Sequence, residues 1–347
     1  PGLVNHLRRR LPSGGHIADL MCGTAAVSGA LRRNGFAVIA NDIMTYSAHH
    51  ATVELLFTES PKFEDAADFI ETYLPKDREE LLPLNPYERM IRALNAVPPK
   101  RGYFWQEFSP DGRPKSATKS RNYFIPDNAA KIDAIRFWIK RLKQKHAITV
   151  KEHSLLLHDL IMGANDIANI AGTYGHYLNR TITRARDPIV LKPTPLFTQN
   201  DAGKHIVLQR YAEDLAEELA CDLCYIDPPY MKRQYAANYH LLETLAREDY
   251  PLAIGESGLR PWRDQYSNFC TKTRIHASFN RIISSMNCQR FVISYSEDGL
   301  LPVDELMSFL RRFGQVALQH VRNKRFKSNE SELAPDITEY FITLEKT

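Results

Sequence analysis

The chain has 347 residues, which exceeds the usual size of a single domain, so one large core with a smaller inserted domain is the expected organisation. Hydrophobic residues make up 44% of the sequence and charged residues 25%, a composition that excludes wholesale disorder. The net charge of +4 alone excludes no class of partner, but residues 100–151 carry 13 basic and four acidic side chains, which would attract a polyanion.

Neither a membrane nor an oxidising environment is indicated by the sequence. No apolar run approaches the roughly 18 to 20 residues that span a bilayer, and the N-terminus lacks a secretory signal pattern. The five cysteines do not resemble a disulfide framework. Cys221 and Cys224 form a lone C-x-x-C without a second pair at zinc spacing, which favours a structural role over a metal or redox site. We therefore expect a cytoplasmic protein with no membrane association and no metal.

Short apolar runs alternate with helical patterns at the start of the chain and in its C-terminal half, which is typical of an α/β sheet with crossover helices. A helix over 27–33 is predicted between the first two strands. The last two strands are close enough in sequence to pair as neighbours. Seven strands are predicted, over residues 16–20, 37–40, 206–209, 223–226, 291–294, 316–320 and 337–344.

Residues 58–150 break this alternation and predict an inserted, mostly helical domain, with residues 1–57 and 151–347 forming the main domain. Within the insertion, apolar residues recur at helical spacing and basic residues occupy other faces of the same helix. A DNA-contacting helix and a solvated surface helix are both compatible with this pattern. The apolar set is Ile132, Ile135, Ile139 and Leu142, and the basic set is Lys131, Arg136, Lys140, Lys143 and Lys145.

The segment 17–27 places an acid, Asp19, and then small residues at the turn from the first strand into the first helix. Small residues at such a turn let the backbone approach a nucleotide-like cofactor, although simple packing explains many such turns. G-x-G-x-x-G is absent, which disfavours a nicotinamide cofactor. Asp42 follows the second strand, where a carboxylate can accept hydrogen bonds from the ribose hydroxyls of an adenosine cofactor.

Asp227-Pro228-Pro229-Tyr230 follows an apolar strand directly. The prolines stiffen the loop, so the Pro228 carbonyl and the Asp227 carboxylate can accept both hydrogens of one exocyclic amine. These acceptors would orient the nitrogen lone pair towards an electrophile and stabilise the developing positive charge. Tyr230 offers a stacking face for a planar base taken out of a duplex. A rigid turn without chemistry is the alternative.

The sequence resembles the DNA adenine methyltransferases of the Dam type, and among them the companions of restriction enzymes. The resemblance extends over nearly the whole chain and is most specific in YIDPPYMKRQYAANYHLLETLA. The supporting segments are DLMCGTAAVSGAL, ANDIMTYS, SRNYFIPDNAAKIDAIR, NIAGTYGHYL, FVISYSEDGL and the C-terminal TEYF.

The resemblance implies a Rossmann-like, seven-stranded methyltransferase sheet in which the insertion at 58–150 serves as target-recognition domain. It implies methyl transfer from S-adenosylmethionine to N6 of an adenine flipped into the DPPY pocket, at a specific site in double-stranded DNA. A cognate restriction endonuclease is a candidate partner. The catalytic residues would be Asp227, Pro228, Pro229 and Tyr230, and the cofactor-binding residues Asp19, Met21, Cys22, Gly23, Thr24, Asp42 and Tyr211.

The cofactor-binding segments also depart from the family pattern. Met21 stands where Phe is usual, and Ala25 stands where a further Gly is usual. Tyr211 aligns with the Asp that often contacts the adenine of the cofactor, with Asp214 nearby, and the Lys of the N-terminal Y-x-G-x-K motif is not evident. These departures leave a non-catalytic DNA-binding protein as an alternative. Methylation of N4 of cytosine or of RNA is a second alternative, because any planar amine suits two acceptors.

DNA contacts are predicted where basic residues are interleaved with aromatic residues, where they follow the catalytic loop, and in a basic stretch between the last two strands. A basic scaffold without DNA contact is the alternative in each case. The recognised sequence and the oligomeric state do not follow from the residues. The predicted contacts are Arg113, Lys115, Lys119, Arg121, Lys232, Arg233, Gln234, Arg322, Lys324 and Arg325.

Overall fold

A computed structural model describes residues 14–75, 83–324 and 336–347. The chain divides into two compact units. The first comprises Pro1–Leu56, Asp201–Ala236 and Gln265–Thr347, and the second comprises Phe57–Asn200 and Ala237–Asp264. The described part contains no helix that is both long and apolar enough to cross a membrane.

One sheet dominates the described residues of the first unit. Its strand order is β3-β2-β1-β4-β5-β7-β6, and β7 runs antiparallel to both of its neighbours while the other pairings are parallel. The predicted α/β class with seven strands is therefore confirmed. The strands are β1 (His16–Asp19), β2 (Ala37–Asn41), β3 (Ile206–Leu208), β4 (Leu223–Ile226), β5 (Arg290–Ser296), β6 (Gly314–Lys324) and β7 (Asp336–Lys346).

Twelve helices lie in the part of the chain that the structure describes, apart from short 3₁₀ turns. They are α1 (Ala26–Arg33), α2 (Thr45–Leu56), α3 (Ala67–Tyr73), α4 (Pro86–Ala96), α5 (Tyr103–Phe108), α6 (Pro126–Gln144), α7 (Val150–Asp166), α8 (Ala212–Leu215), α9 (Tyr235–Asn238), α10 (His240–Arg247), α11 (Ile275–Ser285) and α12 (Val303–Leu310).

The central strands β2, β4 and β5 are largely buried on both faces, and their successive side chains point to opposite sides. In β4, Cys224 and Ile226 pack into one apolar cluster with helices α11 and α12, while Leu223 and Tyr225 pack into the other with α1 and α2. This alternation decides which side chains around the end of β4 share a face.

Two helices of the second unit begin with sequence-encoded caps. Asn85 and Glu88 form a reciprocal capping box at the start of α4, and Thr149 and Glu152 form one at the start of α7. The predicted apolar stripe of α6 is buried, as expected from its spacing. Arg136 is buried as well, and its guanidinium donates to the carbonyls of Thr244 and Asp249. Neither the solvated nor the DNA-contacting role predicted for the basic residues of this helix fits Arg136.

The predicted insertion at 58–150 falls inside the second unit, which extends further, to Asn200, and takes in Ala237–Asp264. The predicted end at residue 150 lies between α6 and α7, and these two helices pack against each other and share one core. The boundaries of the inserted domain stay a prediction, and residue 150 is the first residue of α7.

Candidate active site

Three acidic side chains of the first unit follow the carboxyl ends of neighbouring parallel strands. Asp19 ends β1, Asp42 comes directly after β2, and Asp227 comes directly after β4. Because β1 lies between β2 and β4, these residues lie at the same edge of the sheet. This edge is where open α/β sheets bind their ligands.

Asp19 is fully buried, and only one of its two carboxylate oxygens is satisfied. Oδ2 accepts a hydrogen bond from the Ser28 hydroxyl at 2.6 Å, whereas Oδ1 has no partner among the described residues. Burial, assisted by the negative charges of Asp227 and Asp42, raises the pKa of Asp19 to about 7, against the hydrogen bond from Ser28. A buried acceptor that lacks a partner is costly, so this oxygen is ready to bind a cationic or hydrogen-bonding ligand.

The loop after β1 is shaped by Asp42. The Gly23 amide donates to Asp42 Oδ2 at 2.9 Å, and the Met44 amide donates to Oδ1 at the same distance. Gly23 adopts φ 53°, and a Cβ added there would meet no protein atom within 4 Å, so the space in front of the loop is open. Ala25 is buried and also has a positive φ, 59°, a conformation that favours glycine.

Asn41 is a structural residue of the site whose role the sequence did not predict. Its fully buried side chain donates to the carbonyls of Leu20 at 2.9 Å and Arg210 at 3.0 Å, and it accepts from the Arg210 amide. Asn41 thereby ties the residues that follow β1 and β3 to the end of β2. Its position at a strand end beside Asp42 is the only signal the sequence offered.

Of the remaining predicted cofactor residues, Met21 packs against the core, Cys22 is buried and Thr24 is exposed. Burial raises the pKa of the Cys22 thiol, so its side chain remains neutral. The Cys22 amide donates to the Asn41 carbonyl at 2.9 Å, which fixes the start of the loop. Any ligand at this loop would therefore contact mainly backbone and the Thr24 side chain.

Tyr211 precedes α8 and lines a pocket of about 280 Å³. Asp214, the alternative acid at this position, lies on the same pocket wall and forms an ion pair with Arg281 at 3.0 Å. Glu213 Oε1 accepts from the Ser278 hydroxyl at 2.7 Å. The pocket lining consists of Tyr211, Glu213, Asp214, Tyr266, Asn268 and Arg281.

Asp227 keeps solvent contact, yet the protein around its carboxylate restricts hydration and raises its pKa to about 6. A hydrogen bond from the Ser294 hydroxyl opposes this rise, the negative charge of Glu339 adds to it, and a hydrogen bond from Tyr225 opposes it. The carboxylate is therefore ionised at neutral pH and retains a substantial affinity for a proton.

Tyr230, the last residue of the Asp227–Tyr230 loop, is held by contacts with residues around 295 and 300. Tyr230 packs edge-on against Tyr295, with ring centroids 6.1 Å apart, and its carbonyl accepts from the Leu300 amide at 2.9 Å. Tyr295 is buried and its hydroxyl accepts from the Leu301 amide at 3.0 Å. A Cβ at Gly299 would overlap the Tyr295 ring, so glycine permits this close approach.

Six of the predicted DNA contacts are solvent-exposed cations: Arg113, Lys115, Lys119, Lys232, Arg233 and Arg322. Their accessibility is compatible with phosphate contact. Arg322 is exposed on β6, Lys324 is the last residue of that strand, and Arg325 lies outside the described residues.

The prediction that Arg121 contacts DNA is wrong, because this side chain is fully buried. Its guanidinium uses every N–H group on protein acceptors, namely the carboxylate and carbonyl of Glu107 and the carbonyls of Ala253, Gly255 and Glu256. The amide of Gln234 exchanges two hydrogen bonds with the Ser267 backbone, so this residue anchors the loop after Tyr230 instead of presenting its amide to DNA.

Comparison with known proteins gives one family for almost the whole chain. A family model described as D12 class N6 adenine-specific DNA methyltransferase matches residues 2–309. The Type II methyltransferase M.NlaIII of Neisseria lactamica is 33% identical over 74% of this chain and 76% of that protein. M.CviAII of Paramecium bursaria Chlorella virus 1 is 29% identical over 95% of this chain and 90% of its own. M.FokI of Planomicrobium okeanokoites is 37% identical over 65% of this chain, which spans 35% of that longer relative.

Proposed function

The chain belongs to the D12 class N6 adenine-specific DNA methyltransferase family, and from this membership we propose that it methylates N6 of adenine at a specific site in DNA, with S-adenosylmethionine as donor. The observation that carries the proposal is the Asp227–Tyr230 loop at the end of β4, at the same sheet edge as Asp19 and Asp42. The second unit, with its exposed cations, is proposed to recognise the target sequence.

The residues at the sheet edge fit a cationic cofactor of this kind. Asp19 presents a buried, unpaired oxygen, and the three carboxylates together favour a ligand that carries ammonium and sulfonium charges. We propose that Asp19 holds the ammonium group, Asp42 the ribose hydroxyls, and the pocket beside Tyr211 the adenine ring. The open space before Gly23 leaves room for the ligand backbone. The bound cofactor would supply an electrophilic methyl group.

The chemistry required of the chain is to orient one amine and to accept one proton. We propose that the Asp227 carboxylate and the Pro228 carbonyl accept the two N6 hydrogens and direct the nitrogen lone pair at the donor. Tyr230 would stack on the flipped base, and its contact with Tyr295 holds the ring in place. After transfer the nitrogen carries a positive charge and loses a proton, which Asp227 is suited to accept because its pKa is raised to about 6.

The test is mass spectrometry of nucleosides from unmethylated DNA incubated with protein and S-adenosylmethionine. N6-methyladenine is expected with the natural protein and with Asp304→Asn, an exposed acid in the first turn of α12, and is expected to vanish in Asp227→Ala. DNA that gains no N6-methyladenine under conditions where a known adenine methyltransferase is active would refute the proposal. N4-methylcytosine in the same digest would establish the cytosine alternative.

The departures Met21 and Ala25 motivate a second test, because they leave a DNA-binding protein without catalysis as the alternative. A cofactor-binding protein melts at a higher temperature as the cofactor concentration increases. An unchanged melting temperature at millimolar S-adenosylmethionine would favour that alternative. A cognate restriction endonuclease as partner and a cytoplasmic location remain predictions.

A further inference from the structure

Three side chains surround Asp227 on one face of the sheet: Tyr225, Ser294 and Glu339. Ile226 of β4 is paired with Ile293 of β5, so the same register continued by one residue sets Asp227 opposite Ser294. Tyr225 lies two residues before Asp227 and shares its face, because side chains alternate along a strand. The Ser294 and Tyr225 hydroxyls act on the Asp227 carboxyl in the manner of hydrogen-bond donors, because each lowers its pKa, and Ser294 lowers the pKa of Tyr225 as well.

Glu339 reaches the same face from β7. Ser294 is paired with Phe341, and Ser296 is paired with Glu339. Because paired residues, and residues two apart on one strand, lie on the same face of a sheet, Glu339 and Ser294 share one face. It is half-buried, and its negative charge acts on both Asp227 and Tyr225. The cluster thus combines two hydroxyl donors with a second carboxylate.

Among the described residues, the titratable groups that act on the Asp227 carboxyl are Tyr225 on β4 and Glu339 on β7. The negative charge of Asp227 acts in turn on Asp19 at the end of β1. Burial raises the pKa of the Tyr225 phenol far above its usual range, so Tyr225 is a neutral donor. Hydroxyls that donate to a carboxylate fix its orientation, whereas neighbouring carboxylates favour its protonated form.

We propose that Ser294 and Glu339 are positioning residues for Asp227, Ser294 by orienting its carboxylate and Glu339 by increasing its ability to accept a proton. The inference rests on the proposed function, because it assigns these residues to the same reaction. In the proposed transfer a bond would form between N6 and the methyl carbon as the bond between that carbon and the sulfur of the donor breaks. The donor would leave as a neutral thioether, and N6 would give one proton to Asp227. Asp227 releases that proton to water at the solvent-exposed edge of the sheet.

The direct test is an NMR titration of the Asp227 carboxyl carbon in the cofactor-free protein, with the signal assigned by its loss in Asp227→Asn. Ser294→Ala removes a donor to the charged form and is expected to raise the Asp227 midpoint by about 0.5 to 1 pH unit. Glu339→Gln removes a negative neighbour and is expected to lower the midpoint by about the same amount. Opposite displacements support the proposal, and midpoints that stay in place or move together overturn it.

Two further variants separate positioning from general disruption of the sheet. Ser294→Thr retains the hydroxyl and is expected to keep the natural midpoint if the protein is folded. Glu345→Gln removes an exposed charge from the other end of β7, opposite Arg290, and is expected to leave Asp227 unchanged. A displacement in Glu345→Gln as large as that in Glu339→Gln would overturn the assignment to Glu339.

Single-turnover methylation against pH supplies the functional readout. The rate is expected to fall as pH decreases through the Asp227 pKa, with the acidic limb displaced upward in Ser294→Ala and downward in Glu339→Gln. A natural protein that methylates nothing would refute the proposed function, while the NMR titration would still decide whether the cluster acts on Asp227. Normal methylation with superimposed acidic limbs would refute only the positioning roles.

Discussion

Replacing Asp19 with asparagine is expected to stabilise the cofactor-free protein while weakening cofactor binding. The pKa of Asp19 is raised from its usual 3.8 to about 7. Since one pKa unit corresponds to about 1.4 kcal/mol, ionising this buried carboxyl costs the folded state roughly 4 kcal/mol relative to the unfolded chain. Asparagine has nearly the same shape and carries no charge, and its amide can still hydrogen-bond to Ser28.

The pH dependence of this effect follows from the raised pKa. The neutral form of Asp19 is compatible with burial, so its contribution to stability is complete below about pH 3.8 and is lost as pH rises through about 7. At pH 8 the variant should therefore exceed the natural protein in unfolding free energy by up to roughly 4 kcal/mol. At pH 5.5 the gap should shrink to about half of that value, because folded Asp19 is then largely protonated.

Urea denaturation of both proteins without cofactor, at pH 8 and pH 5.5, measures this gap, with Asp304→Asn as a surface control. Calorimetry with S-adenosylmethionine measures the second consequence. The natural protein should bind about tenfold more weakly at pH 6 than at pH 8, following the ionised fraction of a group with a pKa near 7. An Asn variant that is less stable at pH 8, or a gap that does not change with pH, would refute the reasoning.

Three further substitutions test the loop after β1, the buried Arg121 and the hydrogen bond from Ser28 to Asp19. Gly23→Ala is expected to cost about 1 kcal/mol of stability, because φ at this residue is 53°. It is expected to reduce cofactor affinity more strongly, because the added methyl group enters the open space before the loop. Thermal unfolding measures the first effect and calorimetry the second, and an unchanged affinity would contradict the proposed position of the cofactor. Arg121→Met should destabilise the protein by about 3 to 5 kcal/mol in urea, since it leaves Glu107 buried without its partner; weakened DNA binding at full stability would instead restore the discarded DNA role. Ser28→Ala should raise the Asp19 pKa and so weaken cofactor binding at pH 7, which calorimetry at pH 7 and 9 would detect as a loss that is smaller at pH 9.

The strands of this fold could be predicted because their buried segments are short, apolar and separated by helical patterns. The predicted bounds of β4 are correct at both ends, because Asp222 and Asp227 flank its four apolar residues. Strands β6 and β7 extend beyond their predicted ranges, because antiparallel pairing continues to Lys324 and Asp336 after the apolar pattern ends. Backbone hydrogen bonds between strands leave no trace in the hydrophobic pattern.

The parts of the site that the sequence did not reveal are those that depend on distant partners. Arg121 lies in a basic stretch and has the composition of a DNA contact, but its acceptors come from around residues 107 and 255. Asn41 and Ser28 act through hydrogen bonds to groups that only the folded sheet brings near. The role proposed for Asp227 could be predicted because its chemistry is encoded in four consecutive residues.

The position of β7 between β5 and β6 has a consequence for biosynthesis. Residues 336–346 are made after every other described strand, yet they fill an interior place in the sheet. Until they insert, β5 has an unpaired edge, and unpaired strand edges are prone to pair with other chains. A chain that is still being synthesised would thus contain Asp227 before Glu339, and the β5–β7–β6 side of the sheet would be the last part to be completed.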